Sequence, residues 1–385
     1  MHRFIIVLAV WAAGLGAAAQ FGKISVLFAT LQGLYAGQGA VALGLVVSVV
    51  GMVGLIFGTT AGLMVARIGP KRAIVAGLAM GAAMSALQSL LPSYPLMIAS
   101  RIVEGVSHLA IVVVGPTLIA EVATNRFRGL AMTLWSSFFG VTYTVLALGA
   151  PAVIAWGGAP AVFVGHAGWM AGMAVVLAAV LPRDPPGQPI RDNGNIIAQH
   201  IEIYRSPRLS APAMGFFCYT FLYVAILTLL PPETPVTHRA LIAAGMPLIS
   251  IAVSLTLGVW LLSRISAVQL VQWGYLAAAP AFVVLALFWG QGAGMLAAGL
   301  WLSASLGIVQ GASFSSIPEL NLTANDRARA AGAVAQLGNL GTTTGTPLLA
   351  YLLATAGPPG LAVCALILCA LGIGLHAVQA RRRVA

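Results

Sequence analysis

The chain has 385 residues, of which 60% are hydrophobic and 7% charged, and its mean hydropathy is +0.98. Soluble globular domains carry about 25% charged residues, so the composition excludes that class. The net charge of +11 does not indicate a nucleic-acid-binding surface, because the basic residues are scattered over short segments between apolar runs. Alternating segments of roughly ten residues, typical of β-barrels, are not visible. The sequence therefore predicts an all-α polytopic membrane protein.

Gly, Pro and charged residues divide the apolar sequence into twelve predicted membrane spans. A helix needs roughly 20 apolar residues to cross a hydrocarbon core of about 30 Å. The predicted spans are 4–30, 41–64, 73–92, 96–120, 129–156, 161–181, 212–231, 241–263, 268–289, 293–316, 331–354 and 360–379. The first imitates a cleavable signal peptide, but we expect it to be retained, because its removal would leave an odd number of spans.

The basic residues separate by side of the membrane. Alternating sides from a cytoplasmic N-terminus places 16 of the 19 Lys and Arg residues in cytoplasmic segments, with Arg239 outside and with Lys23 and Arg101 inside spans. This distribution follows the positive-inside rule and supports an even number of spans. We predict a multi-pass protein of the bacterial inner membrane with both termini in the cytoplasm.

A long polar segment splits the predicted spans six and six. We expect an N-terminal six-helix bundle over 1–181, a cytoplasmic linker over 182–211 and a C-terminal six-helix bundle over 212–385 that ends in a short basic tail. Within the linker, 196–204 could form a short amphipathic helix, although its composition favours a plain connector.

Two short motifs recur at nearly the same offset in the two halves. Arg126–Gly129 is echoed by Arg327–Ala330, 201 residues later, and Gly62–Arg67 is echoed by Gly258–Arg264, about 197 residues later. Each echo lies in the corresponding loop of its half. The pair indicates two pseudo-symmetric bundles, which is typical of transporter folds.

The loop between spans 2 and 3 reads G-L-M-V-A-R-I-G-P-K-R from Gly62 to Arg72. Taken alone, it is a short basic turn, because Gly-Pro stops a helix and cytoplasmic loops collect cations. It also resembles the loop between helices 2 and 3 of the major facilitator superfamily of secondary transporters. The residues that match the family's pattern are Gly62, Arg67, Gly69, Lys71 and Arg72. The resemblance implies that this loop is a conformational gate, stabilised in the family by pairs of opposite charges. Ala66 stands where the family usually has the Asp of such a pair.

The resemblance extends over the whole chain. Arg101 and Gly105 fit the family's pattern in span 4, and Gly149–Gly158 resembles the Gly- and Pro-rich motif of its antiporters with imperfect spacing. Within the superfamily, the chain most resembles the bacterial cyanate and nitroimidazole branch. The resemblance implies three further gate residues after span 4: Glu121, Arg126 and Arg128.

Polar side chains inside spans are the candidates for a substrate site, because a charge at the centre of a spanning helix costs about 2.5 to 3.5 kcal/mol on insertion scales. In span 4, Arg101, Glu104 and His108 are spaced i, i+3 and i+7, which places them on one face. In span 1, Gln20 and Lys23 share a face. Spans 1 and 4 line the central cavity in the resembled family, which implies that these residues bind the substrate. Alternatively, Arg101 and Glu104 only neutralise each other, with His108 packed behind them.

Two of these side chains, Lys23 and Arg101, are positively charged and one, Glu104, is negatively charged. Their net charge is therefore positive, which predicts an anionic substrate. A carboxylate is favoured, since Arg101 can hold it through two hydrogen bonds while Lys23 supplies a point charge. Glu104 and His108 are the candidates for proton coupling, although anion exchange or uniport fits nearly as well. Uncharged candidates from the second half, each more often an interhelical hydrogen bond than a ligand contact, are Tyr219, Tyr223, Gln310, Gln336 and Asn339.

Other functional classes lack their motifs. Cys218, Cys364 and Cys369 fall in apolar runs without metal-ligand spacing, and we see neither a nucleotide-binding Gly-Lys motif nor a Ser/His/Asp arrangement. We expect a monomeric secondary transporter in the bilayer, not an enzyme, with a small anionic solute and protons as partners and with no cofactor, metal or nucleic acid. The alternatives are a proton-driven antiporter that exports drugs or metabolites, and a receptor or assembly factor that has lost transport.

Overall fold

A computed structural model of the chain describes residues 2–61, 65, 68–124, 131, 134–135, 137–184 and 196–384. Every element within these ranges is helical. The helices in chain order are His2–Val26, Phe28–Leu34, Ala40–Ser48, the 3-10 turn Val49–Gly51, Met52–Phe57, Pro70–Gln88, Tyr94–Val122, Phe138–Val180, Ile196–Arg205, Ala211–Glu233, Val236–Val253, the π-helical segment Ser254–Gly258, Val259–Leu262, Ala267–Leu287, Gly292–Leu320 and Ala324–Val384. Six residues named above lie outside the described residues: Gly62, Ala66, Arg67, Arg126, Arg128 and Gly129.

Nine helical stretches in the described part of the chain are long and apolar enough to cross a membrane. Two of them contain two spans each, because the 43-residue helix Phe138–Val180 bends at Gly157–Gly158 and the 61-residue helix Ala324–Val384 bends at Gly357. The 19-residue helix Pro70–Gln88 completes a set of twelve. The predicted twelve-span helical fold is confirmed, and the spans are numbered 1 to 12 in chain order.

Spans 1 and 2 are less regular than the apolar pattern predicts. The single run predicted for span 1 is two helices, His2–Val26 and Phe28–Leu34. Span 2 is α-helical over Ala40–Ser48, tightens into a 3-10 turn at Val49–Gly51 and resumes over Met52–Phe57. Two β-branched residues followed by glycine form a weak point in a helix, and a 3-10 stretch inside a helix often marks a hinge.

The chain forms two compact units. Unit 1 comprises Met1–Ala36 and Val49–Asn193, and unit 2 comprises Gly37–Ser48 and Gly194–Ala385. Span 2 is therefore divided between the units at the start of its 3-10 turn. Within unit 2, Ser48 at the end of the first part of span 2 donates a hydrogen bond from Oγ to the backbone carbonyl of Thr343 in span 11, at 2.9 Å.

The apolar core of unit 1 is built from the same spans that carry its polar side chains. Most core residues lie in the first part of spans 1 and 3 and in the last part of spans 4 and 6, with Val10, Ile74, Ile111 and Leu177 fully buried, and Ala131 and Trp135 join them from the start of the predicted span 5. Because successive spans run in opposite directions, these segments meet at the same end of the unit. The remaining parts of spans 1, 3, 4 and 6 form the candidate site described below.

The two halves repeat in structure as well as in sequence. Spans 4 and 10 are both 29 residues long, beginning at 94 and 292 and ending at 122 and 320, so 198 residues separate each pair of ends. The turn between spans 5 and 6 at Gly158 (φ 67°, ψ −167°) recurs between spans 11 and 12 at Gly357 (φ 64°, ψ −165°), 199 residues later. Both offsets agree with the echoes in the sequence.

An alanine at Gly357 is expected to destabilise the protein, because the φ and ψ of this turn are open essentially only to glycine. A Cβ added there would meet nothing nearer than Pro359 Cδ at 3.7 Å, so the cost is backbone strain of about 1 to 3 kcal/mol. Gly374→Ala is the control, since that glycine lies in the same helix with no atom within 4 Å of an added Cβ. The thermal unfolding midpoint of detergent-purified protein should fall for Gly357→Ala alone, and equal midpoints would contradict a strained turn.

Candidate functional site

Glu104 in span 4 lies at the centre of a buried polar cluster in unit 1. Its Oε1 accepts a hydrogen bond from Lys23 Nζ at 2.6 Å, and its Oε2 accepts one from Gln88 Nε2 at 2.9 Å. The Arg101 guanidinium, one helical turn away, also donates to Oε2. All four side chains are 0% exposed. A single carboxylate therefore holds two cations from two different spans.

The geometry follows from the cost of burying charge. An ion removed from water and left unpaired is strongly unfavourable, whereas a pair with all its hydrogen bonds made is tolerated. Arg101 and Glu104 are three residues apart in one helix and so meet on the same face. Lys23 joins them from span 1, which leaves one positive charge in excess among the three ionised side chains.

Lys23 has an acceptor for each hydrogen of its ammonium group. Besides Glu104, Nζ lies 2.8 Å from Ser85 Oγ in span 3 and 3.2 Å from His166 Nδ1 in span 6. The ammonium also lies 5.5 Å from the centroid of the Phe163 ring. Spans 1, 3, 4 and 6 thus all meet at this one nitrogen.

His166 is a member of the cluster that the sequence analysis missed. Its Nδ1 lies 2.8 Å from Ser85 Oγ, and its Nε2 lies 2.9 Å from the Gly16 carbonyl oxygen. A carbonyl only accepts, so Nε2 carries the hydrogen and Nδ1 presents a lone pair to Lys23 and Ser85. An ionisable residue inside a span is a signal of a functional site that the sequence does show. Span 6 holds no charged residue, however, so the sequence offers no partner for His166.

His108 lies beside the cluster and makes its contacts with span 1. Its Nδ1 is 3.2 Å from the Ala17 carbonyl oxygen and 3.2 Å from Gln20 Oε1, and Gln20 in turn donates to Ser107 Oγ at 2.9 Å. The His108 ring packs edge-on against Phe21. The structure thus places all five candidates from spans 1 and 4 in one region of unit 1: Gln20, Lys23, Arg101, Glu104 and His108.

The candidates from the second half lie in unit 2 and have other neighbours. Tyr219 and Tyr223 are buried in span 7 and stack with ring centroids 5.1 Å apart. Gln310 is half-buried in span 10. Asn339 donates to the Ala335 carbonyl of its own helix at 2.8 Å. Gln336 accepts a hydrogen bond from Tyr204 in the linker at 2.7 Å, so its amide is already engaged.

The linker contains a helix, Ile196–Arg205, where the sequence favoured a plain connector. The helix packs on span 11: Ile203 is buried, His200 lies 3.2 Å from the Gln336 amide nitrogen, and Glu202 pairs with Arg329 at 2.8 Å. The Arg329 guanidinium holds the pKa of the Glu202 carboxyl below its usual value, and burial raises the pKa of Tyr204 to about 12. These long-range partners could not be read from the local composition.

The described part of the predicted gate loop is held by an acid from the end of span 6. The backbone N–H groups of Lys71 and Arg72 donate to the two oxygens of Asp184 at 2.7 and 2.9 Å, and Lys71 Nζ donates to the Leu181 carbonyl at 2.6 Å. Gly69 has φ +94°, and an added Cβ there would collide with the Asp184 carboxylate. Asp184 therefore caps the N-terminus of span 3. The side chain of Glu121, also assigned to the gate, is exposed at the end of span 4.

Asp184→Ala is expected to lower the free energy of unfolding by about 1 kcal/mol, the usual effect of losing an N-terminal cap. Asp184→Asn should lose less, because the amide keeps one acceptor oxygen. Glu121→Ala is the control, since that carboxylate is exposed. Unfolding midpoints in detergent would order the variants, and equal midpoints for Asp184→Ala and Glu121→Ala would contradict the cap.

Twelve spans in two repeats, with ionisable side chains buried inside one unit, define a polytopic membrane protein of the transporter type. Residues 6–346 match the sequence model of the Major Facilitator Superfamily, and the chain belongs to that superfamily. It is therefore a multi-pass membrane protein of a transporter family and not an enzyme, as predicted. The assignment to the cyanate and nitroimidazole branch stays a prediction.

The individual proteins that the chain resembles share little sequence identity with it. The inner membrane transport protein YajR of Escherichia coli K12 is 27% identical over 203 residues, which cover 51% of this chain but only 43% of that protein. Three solved structures share the fold over 97 to 99% of both chains. They are an inward-facing, occupied bacterial homologue of the human lysosomal transporter Spinster (14% identity, TM-score 0.78), the Escherichia coli fucose:proton symporter FucP (15%, 0.69) and the human organic anion transporter MFSD10 (19%, 0.72).

Proposed function

We propose that the protein is a secondary active transporter that moves a small anionic solute, an organic carboxylate or a small inorganic anion, across the bacterial inner membrane by alternating access. Both termini face the cytoplasm in this proposal, as the distribution of Lys and Arg indicates. The observation that carries it is the clamp around Glu104, in which two cations from different spans hold one carboxylate away from water.

The contacts of Glu104 support a carboxylate as the solute. Lys23 binds one carboxylate oxygen, while Arg101 and Gln88 bind the other. A solute carboxylate presents the same two oxygens, so it would compete with Glu104 for the same donors. Lys23 is the donor better suited to exchange partners, because its ammonium is a point charge on a flexible chain, whereas Arg101 is fixed to Glu104 within one helix.

The names of the structural neighbours are compatible with this substrate class at the level of the fold. One neighbour is named an organic anion transporter and another a proton symporter. At identities of 15 to 19%, a shared fold does not transfer a substrate. The proposal therefore depends on the side chains of this cluster, with Glu104 and His108 as the first candidates for proton coupling.

A proton-driven exporter of drugs or metabolites is the second candidate. The observation in its favour is that Glu104 is a buried acid in the N-terminal half, as expected for an exporter of cations. In that case a lipophilic cation, and not an anion, would take the place of Lys23 or Arg101 beside the carboxylate.

Replacement of Lys23 or Arg101 by Gln is expected to abolish stabilisation by anions. A ligand that binds only the folded state raises the unfolding midpoint, so the midpoint of detergent-purified protein is measured across small carboxylates, inorganic anions, lipophilic cations and neutral metabolites. We expect one class of anions to raise it in wild type and in the control Arg239→Gln, but not in Lys23→Gln or Arg101→Gln. Stabilisation by lipophilic cations alone would favour the exporter instead.

Glu104→Gln is expected to have the opposite effect on anion binding. The ligand-free variant should unfold more easily by about 3 to 5 kcal/mol, because two buried cations lose their anion. An added anion no longer competes with a fixed carboxylate, so its apparent affinity should rise at least about tenfold. Thermal shifts at graded anion concentrations measure both effects, with Glu121→Gln as the control on the same span. Unchanged or weaker anion binding would show that Glu104 does not occupy the substrate's position.

A further inference from the structure

His166 and Lys23 face each other in a way that allows only one of them to carry a positive charge. The ammonium donates toward the Nδ1 lone pair of the imidazole at 3.2 Å, and Ser85 Oγ lies 2.8 Å from both groups. A proton added to Nδ1 would replace this hydrogen bond with repulsion between two cations at hydrogen-bond distance. While Lys23 stays in place, His166 therefore remains neutral.

The charges around His166 come from two spans. Lys23 faces it from span 1, and Glu104 and Arg101 act on it from span 4. Span 3 contributes the uncharged Ser85, and the phenol of Tyr143 in span 5 hydrogen-bonds with Ser25 of span 1. Among these described groups, Lys23 is the cation that contacts the imidazole directly, and Glu104 is the anion that would stabilise an imidazolium once Lys23 has left.

We propose that His166 binds a proton when Lys23 moves from Glu104 to the transported anion. The inference rests on the anion transport proposed above and assigns the coupling proton to a residue on span 6. In this step a hydronium ion on the aqueous side transfers its proton to the Nδ1 lone pair, so that one N–H bond forms, one O–H bond of the hydronium ion breaks and a water molecule is released. The imidazolium then takes the place of the ammonium beside Glu104, while the Lys23 ammonium accompanies the anion.

The charge balance explains why anion and proton would bind together. Before any solute binds, the cluster holds Lys23, Arg101 and Glu104 in their ionised forms, with one positive charge in excess. After the exchange, the anion adds one negative charge and His166 adds one positive charge, so the excess is unchanged. Adding either ion alone would change the charge buried in an apolar unit, which is costly. This exchange predicts that one proton is transported with each monovalent anion.

His166 suits this role better than His108 because the nitrogen of His166 that can accept a proton, Nδ1, is the one that faces Lys23. The Gly16 carbonyl fixes the hydrogen of His166 on Nε2 and leaves Nδ1 pointing at Lys23. His108 instead directs its Nδ1 at the Ala17 carbonyl, 3.2 Å away, so this nitrogen is a donor. Movement of Lys23 therefore changes the surroundings of the acceptor nitrogen of His166 directly.

The test measures the protonation of His166 without any ligand. Nitrogen NMR on full-length protein labelled with 15N-histidine and reconstituted in liposomes distinguishes the two neutral tautomers from the imidazolium, and His166→Gln assigns the resonance. In wild type at pH 7 we expect neutral His166 with its hydrogen on Nε2. In Lys23→Met, the ratio of protonated to neutral His166 should rise at least about tenfold. Lys71→Met, which removes the other lysine of the chain, should leave the resonance unchanged.

Two results would overturn the inference. A wild-type His166 with its hydrogen on Nδ1 would contradict it even if Lys23→Met does not fold, and so would a neutral His166 in folded Lys23→Met protein. Failure of the anion proposal is a separate outcome, since the NMR response of His166 does not depend on a solute. A protein that binds no anion but protonates His166 in Lys23→Met would retain the switch and lose only the proposed substrate class.

Discussion

The structure of unit 1 depends on the pairing of one carboxylate with two cations in an environment that cannot solvate them. Glu104 needs donors for both oxygens, and Lys23, Arg101 and Gln88 supply them from three spans. Each cation would be strongly unfavourable if buried without this acid. Since Lys23 also reaches Ser85 and His166, the requirement to satisfy its ammonium fixes how spans 1, 3, 4 and 6 pack at this depth. The apolar residues at the other end of these spans impose no comparable geometry.

Charge is also what distinguishes the two halves of the repeat. The 198-residue offset between spans 4 and 10 relates Arg101 to Gly299, Glu104 to Leu302 and His108 to Leu306. The same helical scaffold thus occurs twice, and at these three positions the side chains are ionisable in one copy and small or apolar in the other. At these positions the ionisable side chains lie in unit 1, while the candidates named from unit 2 are tyrosines and amides. A duplicated fold does not require a duplicated site.

The sequence predicted those features that depend on spacing along one helix. Hydropathy and charge separation gave twelve spans, and the i, i+3 spacing gave the pair of Arg101 and Glu104. Three features that join distant segments were not predicted. His166 has no charged neighbour within its own span, and Asp184 lies 112 residues beyond Arg72, whose backbone it caps. The linker helix likewise depends on partners in span 11. In each case the deciding contact is set by packing, which a periodic pattern does not encode.

The occupied donors around Glu104 have a consequence for the concentration range in which the proposed transporter works. A carboxylate fixed on the same protein competes at an effective concentration of millimolar or more, far above that of a scarce nutrient. The net binding free energy of a solute is what remains after its contacts with the donors have replaced those of Glu104. A solute would therefore be held weakly and released quickly. Such a site suits rapid movement of an abundant anion and not its capture from dilute solution.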